Sequence, residues 1–363
     1  MAHRIVAWTF ACLAVTAASA AFERPAYQLR RLPAPEGCGA YAGWHGLSGD
    51  GRALMVVACE GAPGVRAIRW AAGRSVELAA PGAPIATPYG LGPGDVVVGS
   101  AETADLDDDG PRVARPVVWE NGSARDLGTL GGTLGGALAI NAHGTIVGAC
   151  QAEGTEPWLP GPMRACAWSS GGVVRDLGDL GGTHAAAYDI NDRGWIVGSS
   201  AMRVASGAAF EEHAFLLAGK KMRDLGTLGG QASFAWAINE RGDVVGASYT
   251  GEPAPPGEVS FRAFLWRGNT LRDLGTLGGS ISEALDVNDD GLIVGWSRLQ
   301  DPVDGEADHA VIWLKEIPLD LNDLIVEAHG CVVTRATSID AAGSILADAR
   351  CFDGNHVVIL ERH

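Results

Sequence analysis

The acidic run "DLDDDG" sets Asp105, Asp107 and Asp109 at alternate positions ahead of Gly110. That is the spacing with which a loop wraps a hard cation such as calcium. The pattern then fails, because the ninth position is Val113 and the twelfth is Pro116, where a calcium loop supplies further oxygens. Calcium at this turn therefore competes with a plain solvated acidic turn. His213 and Asp224, eleven residues apart, have the chemistry of a proton-transfer dyad. However, Arg fills the His213 position in other copies of the same segment and cannot act as a base at neutral pH, so the pair reads as a structural ion pair. No H-E-x-x-H and no G-x-S-x-G occurs, and "GLGPGD" at Gly90 sits in a turn and not at a strand-to-helix junction.

A second group of candidates lies in long, mutually dissimilar connections. Glu153, Glu156, Glu211, Glu212, Asp304 and Glu306 offer carboxylates to a cationic ligand, and Trp158, between Cys150 and Cys166, is the aromatic placed for contact. Acids in such loops also keep an exported protein soluble, and Trp158 could simply pack under its own loop.

Repetition supplies the frame that must hold these residues. "AINAHGTIVGA", "DINDRGWIVGS", "AINERGDVVGA" and "DVNDDGLIVGW" anchor on Asn141, Asn191, Asn239 and Asn288, at intervals of 50, 48 and 49. Weaker copies at Leu47, Leu91 and Ser338 bring the number to seven. A period near 50 with several short strands per copy predicts an all-β, seven-bladed propeller with four-stranded blades, strands a to d, over residues 21–363. In "NERG" the asparagine opens a type I turn and the glycine takes positive φ, so the asparagines are turn residues rather than ligands.

Between strands c and d a basic residue and an acid recur. Arg66–Glu77, Arg115–Asp126, His213–Asp224, Arg262–Asp273 and His309–Asp320 are eleven apart, and Arg164–Asp176 twelve. A two-residue turn at Arg267-Gly268 would set Arg262 directly opposite Asp273, and Phe264 opposite Leu271. Trp70, Trp119, Trp168, Trp266 and Trp313, four residues after the basic position, read as packing between blades. The chain ends in "HVVILERH", a strand c without a strand d, while "YQLRRLPAPEG" near the start resembles a strand d. The N-terminal strand is thus expected to complete the last blade, leaving His356 opposite Arg31 and without an acid.

The first twenty residues run from Arg4 through an apolar stretch to Ala18-Ser19-Ala20, the order of a secretory signal cleaved near Ala20. The product would be secreted, periplasmic or displayed at the cell surface, with no membrane insertion. Losing Arg4 takes the net charge from −16 to −17, which disfavours nucleic acid and anionic lipid, and no Lys/Arg cluster stands out in the sequence. Cys12 leaves with the signal, and the six remaining cysteines allow fifteen pairings. Cys38/Cys59, Cys150/Cys166 and Cys331/Cys351, separated by 21, 16 and 20 residues, are the candidate local staples.

"HAFLL" at His213, "RAFLW" at Arg262 and four copies of "DLGxLGG" resemble the repeats of the HAF-repeat extracellular proteins, most strongly from Arg115 to Trp313. The resemblance implies an exported bacterial protein and transfers no catalytic residue. Strand alternation puts the long b–c loops and the glycine-rich d–a loops on one face and tight turns on the other. The leading expectation is a binding module that uses the loop-rich face, with a protein, a glycan or a cationic species as ligand. The rivals are a propeller hydrolase or lyase that acts on glycans or phosphate esters through loop carboxylates, and a structural envelope or matrix protein.

Overall fold

The computed structural model describes residues 24–363 apart from 36, 60–64, 81–84, 103–112, 155–160, 204–210, 253–259 and 304–305, and gives only the backbone of 44–45, 301–303 and 306. The signal segment lies outside the described residues. The chain is all-β, with the short 3-10 turn Leu321–Leu324 as its helical element among those residues.

Four-strand antiparallel sets, each in the order a to d, follow one another. The first runs Cys38–Leu47, Ala53–Cys59, Val65–Ala71 and Arg74–Glu77, and the second Ile85–Leu91, Val97–Glu102, Ala114–Glu120 and Ser123–Asp126. The third is Gly131–Ile140, Ile146–Ala152, Met163–Trp168 and Val174–Asp176; the fourth Gly181–Ile190, Ile196–Met202, Glu211–Leu217 and Met222–Asp224. The fifth is Gly229–Ile238, Val244–Thr250, Phe261–Arg267 and Thr270–Asp273; the sixth Gly278–Val287, Ile293–Val303, Glu306–Leu314 and Ile317–Asp320. Single parallel bridges, Glu212 to Ala232 and Phe261 to Ile281, join the fourth, fifth and sixth into one larger sheet. The last set, Cys331–Ile339, Ile345–Cys351 and Gly354–Arg362, takes its fourth strand from the other end of the chain: Tyr27–Arg31 pairs in register from Tyr27/Arg362 to Arg31/Val358.

The recurrent "IVG" has a steric cause. Strand a bulges opposite each of these glycines, and a Cβ at Gly198, Gly246 or Gly295 would land on the carbonyl oxygen of Ala186, Phe234 or Glu283. The asparagine turns form as expected: Asn239 Oδ1 accepts the amides of Arg241 and Asp243, and Gly242 has φ 85°. Each asparagine also reaches its neighbour, since Nδ2 of Asn141, Asn191, Asn239 and Asn288 donates to the main-chain oxygen of Asn191, Asn239, Asn288 and Asp340 at 3.0–3.2 Å. The turn residue is therefore also a rivet between sets.

The c–d hairpin differs from the sequence reading. Its turn is Gly268-Asn269, both at positive φ (58° and 69°), so Phe264 faces Asp273 and Trp266 faces Leu271. A turn centred on Arg267-Gly268 would force Arg267 into the left-handed region, which Gly and Asn adopt at lower cost than Arg. The charge pairs survive the shift as diagonal contacts. Arg115–Asp126 is 2.9 Å, Arg164–Asp176 3.2 Å, His213–Asp224 2.9 Å and His309–Asp320 2.6 Å, with Arg66–Glu77 at 3.4 Å and Arg262–Asp273 at 3.9 Å. His356 is not left without an acid as expected. Asp353 lies 3.0 Å from its Nε2 and 2.8 Å from Arg31 Nη1, compensating for the arginine at the acid's position.

Apolar clusters straddle each neighbouring pair of sets. Trp119, Trp168 and Trp313 are buried, and their Nε1 groups donate to the carbonyls of Ala79, Gly128 and Leu274 in the preceding set at 2.9–3.0 Å. Leu346, Val357 and Ile359 of the last set pack with Met55, Val57 and Trp70 of the first. Cys38–Cys59, Cys150–Cys166 and Cys331–Cys351 are disulfides, each between adjacent strands, which points to an oxidising compartment.

Candidate functional site

On the side where strands b lead into strands c, a cavity of about 300 Å³ opens between the sixth, last and first sets, its wall including Tyr41, Trp296, Asp308, Arg335, Asp348 and His356. Register explains why these residues meet. Asp348 on strand b faces Arg335 on strand a of the last set, and Trp296 faces Glu283 in the same two places of the sixth. Trp296 Nε1 donates to Glu283 Oε2 at 2.7 Å, and Arg335 Nη2 lies 3.7 Å from that same oxygen. The Ala42 amide of the first set donates to Asp348 Oδ1 at 2.7 Å.

Burial pushes the Asp348 carboxyl up to about 6, against the opposing pull of the Ala42 amide and the Arg335 guanidinium. Asp348 can consequently exchange a proton under mildly acidic conditions. Asp308, at the cavity rim, is held 3.0 Å from Arg298 Nε. Half-exposed Tyr41 and the indole of Trp296 add flat apolar faces beside these charges. Such a mixture suits a small polar ligand with an apolar side.

The fourth set carries a related network at the same register. Tyr188 Oη and Ser199 Oγ are 3.0 Å apart, Ser199 Oγ donates to Glu212 Oε1 at 2.6 Å, and His184 Nε2 lies 3.5 Å from Glu212 Oε2. Burial raises the Tyr188 hydroxyl to about 12, with Glu212 adding to the rise and the Ser199 bond opposing it. Trp236 leans on Tyr188 at 4.6 Å and stacks on Phe234 at 5.5 Å.

Of the acids expected to bind ligand, Glu212 is thus built into a network. Glu211 is half-buried at the start of its strand, and Glu153 is exposed just past strand b of the third set. Glu306 begins a strand whose side chain is not described there; Trp158, Glu156, Asp304 and the proposed calcium ligands Asp105, Asp107 and Asp109 lie outside the described residues. A cluster of Cys351, Asp353 and His356 has metal-like spacing, but Cys351 is disulfide-bonded and Asp353 is engaged by Arg31 and His356.

The sequence reading missed Asp348, Arg335, Glu283 and Trp296. A signal existed: Asp348 and Trp296 stand where the other copies have Ser199 and Ala247, a charge or an indole in a place otherwise kept small.

In the glycine-rich d–a segments many amides are used internally. Asp126, Asp176, Asp224 and Asp273 each accept the amide of the glycine two residues on, at 2.7–2.8 Å, and the Leu180, Leu228 and Leu277 amides donate to Ser200, Ser248 and Ser297. Moreover the "GG" pair starts strand a and is not loop: a Cβ at Gly230 would lie 2.6 Å from the backbone of Tyr249. "DLG" is accordingly a structural device, its acid capping a turn while holding the basic residue of strand c. His213 illustrates this, since the Asp224 bond raises its pKa. Burial alone would lift Asp224, but the bonds from His213 and the Gly226 amide outweigh it and hold the carboxyl below its usual range.

Solved structures share this arrangement. The β-propeller domain of the Trilobed protease from Pyrococcus furiosus, described as having an open velcro topology, superposes with a TM-score of 0.53 at 9% identity over 89% of this chain and 97% of that domain. The fold is a β-propeller. A puromycin-hydrolyzing peptidase of Mycobacterium tuberculosis matches with a TM-score of 0.55 at 13% identity over 88% of this chain, which spans about half (51%) of that protein. At such identities the likeness concerns the fold alone. No protein-family model and no curated protein matches the chain. Among the described residues no helix is long and apolar enough to cross a membrane.

Proposed function

We propose that the chain is an exported, single-domain, seven-bladed β-propeller of the HAF-repeat kind that acts as a binding module, taking a small polar ligand of glycan type at the loop-rich face. Ring closure by the N-terminal strand is supported by the pairing of Tyr27–Arg31 with Gly354–Arg362 and by the apolar packing of the last blade on the first. The observation that carries the binding reading is the cavity between those blades and the sixth, where Trp296 and Tyr41 stand beside Arg335 and Asp348. Hydroxyl-rich ligands use this combination, an apolar plate with convergent charged donors and acceptors. The test is a glycan screen on the mature protein followed by calorimetry. Binding that is abolished by Trp296→Ala supports the reading; the absence of any saturable ligand, or affinity indifferent to Trp296→Ala, overturns it.

A second reading, a hydrolase, is favoured by two carboxyls, Asp348 and Asp308, that line the same cavity, because glycan cleavage requires an acid and a base. Turnover of the bound glycan, lost in Asp348→Asn while binding persists, would select it.

A further inference from the structure

We propose a second binding site, on the opposite face that bears the tight turns, for a compact oxyanion of the phosphate class. A cavity of about 590 Å³ there spans the fifth, sixth and last blades, and its wall brings together Arg241, Arg267, Lys315 and Arg362 against two acids, Asp243 and Asp290. The net charge of the chain is −16, and the four cations come from sequence positions far apart, so a basic cluster was not visible in the sequence. In such an acidic molecule a local surplus of positive charge focuses the field on this one cavity.

One of the two acids is already committed. Asp243 is buried, accepts Arg267 Nε at 2.6 Å, Arg267 Nη2 at 2.9 Å and Asn239 Nδ2 at 3.1 Å, and forms an ion pair with Arg241 Nη2 at 3.2 Å. It acts as a strut that holds two guanidiniums side by side over Gly291, where a Cβ would come within 2.5 Å of Arg241 Nη2 and 3.3 Å of Arg267 Nη2. Arg267 also reaches Glu316 at 3.7 Å, outside the cavity wall. Arg362 arrives from the final strand and lies along the turn of the last blade, its Cδ 3.2 Å from where a Cβ on Gly343 would sit. Planar guanidiniums fixed in this way offer forked donors to oxyanions, and Lys315 adds a point charge.

Pro25 lines the same cavity immediately ahead of the strand Tyr27–Arg31. An anion held here would therefore bridge the fifth and sixth blades to both ends of the chain. Occupancy would stabilise the folded state by linkage.

The experiment titrates inorganic phosphate and pyrophosphate into the mature protein by calorimetry and thermal shift, at ionic strength held constant with chloride. The proposal expects saturable binding with a rise in Tm, tighter for pyrophosphate. The double variant Lys315→Gln/Arg362→Gln, both exposed and neither holding Asp243, should bind roughly tenfold or more weakly while its anion-free Tm is retained. Trp296→Ala should leave the anion affinity unchanged, which separates this site from the loop-face cavity. A Tm rise matched by chloride alone, or undiminished affinity in the double variant, overturns the proposal.

Discussion

Asp348→Asn is a near-isosteric change whose effect can be worked out in sign and size. The Asn Oδ1 can still accept the Ala42 amide, so the contact at 2.7 Å is retained while the ionisable group is removed. In the native protein the carboxyl titrates near 6, against an ordinary 3.8. Below about pH 3 both folded and unfolded chains hold the proton, and the group contributes nothing. As pH rises from about 3 to 6 the unfolded chain ionises while the folded one resists, so stability falls, and it levels off above the folded value. A shift of about two units corresponds to about 3 kcal/mol. For a chain of this size that is a Tm difference of roughly 4 °C. Urea titrations of wild type and Asp348→Asn between pH 3.5 and 7.5 isolate the group, since the other carboxyls cancel in the difference. The variant should lack about 3 kcal/mol of wild-type decline over the whole range, about 2 kcal/mol of it between pH 4 and 6, and be the more stable protein at pH 7. Parallel curves, or a variant that loses stability uniformly, would refute the argument that burial dominates at Asp348.

Further consequences follow from the repeats. Gly246→Ala should cost more than about 3 kcal/mol in chemical denaturation, because the added methyl meets the Phe234 carbonyl of the bulge. Asn239→Ala removes two accepted amides and the donor to Asn288, and should cost about 2–4 kcal/mol by the same assay. Intact-mass analysis with thiol labelling should find no free thiol among the six cysteines after residue 20, and reduction should lower stability by about 3 kcal/mol per bridge at these loop lengths. Deleting Tyr27 to Leu32 should lower the Tm of the whole domain in one transition, rather than fraying one end, since Tyr27, Leu29 and Leu32 are buried in the last blade and its neighbours.

Local chemistry was legible in the sequence. The asparagine turns, the c–d charge pairs and the three cysteine pairs all depend on residues a few to some twenty positions apart, where spacing and turn geometry limit what can meet, and the packing tryptophans recur at a fixed step after the basic residue of each strand c. Even there a single choice of turn centre misplaced the hairpin register by two residues, because the left-handed tolerance of Asn269 weighed more than the apparent symmetry of Arg262 and Asp273. Two things belonged to the tertiary structure. One is the meeting of Asp348, Arg335, Glu283 and Trp296 with Ala42, whose amide is 306 positions from its acceptor. The other is the gathering of Arg241, Arg267, Lys315 and Arg362 in an acidic chain. Both arise where separate blades abut. No periodicity marks them, because the repeat specifies each blade's shape while the seams between blades decide which of the variable residues become neighbours.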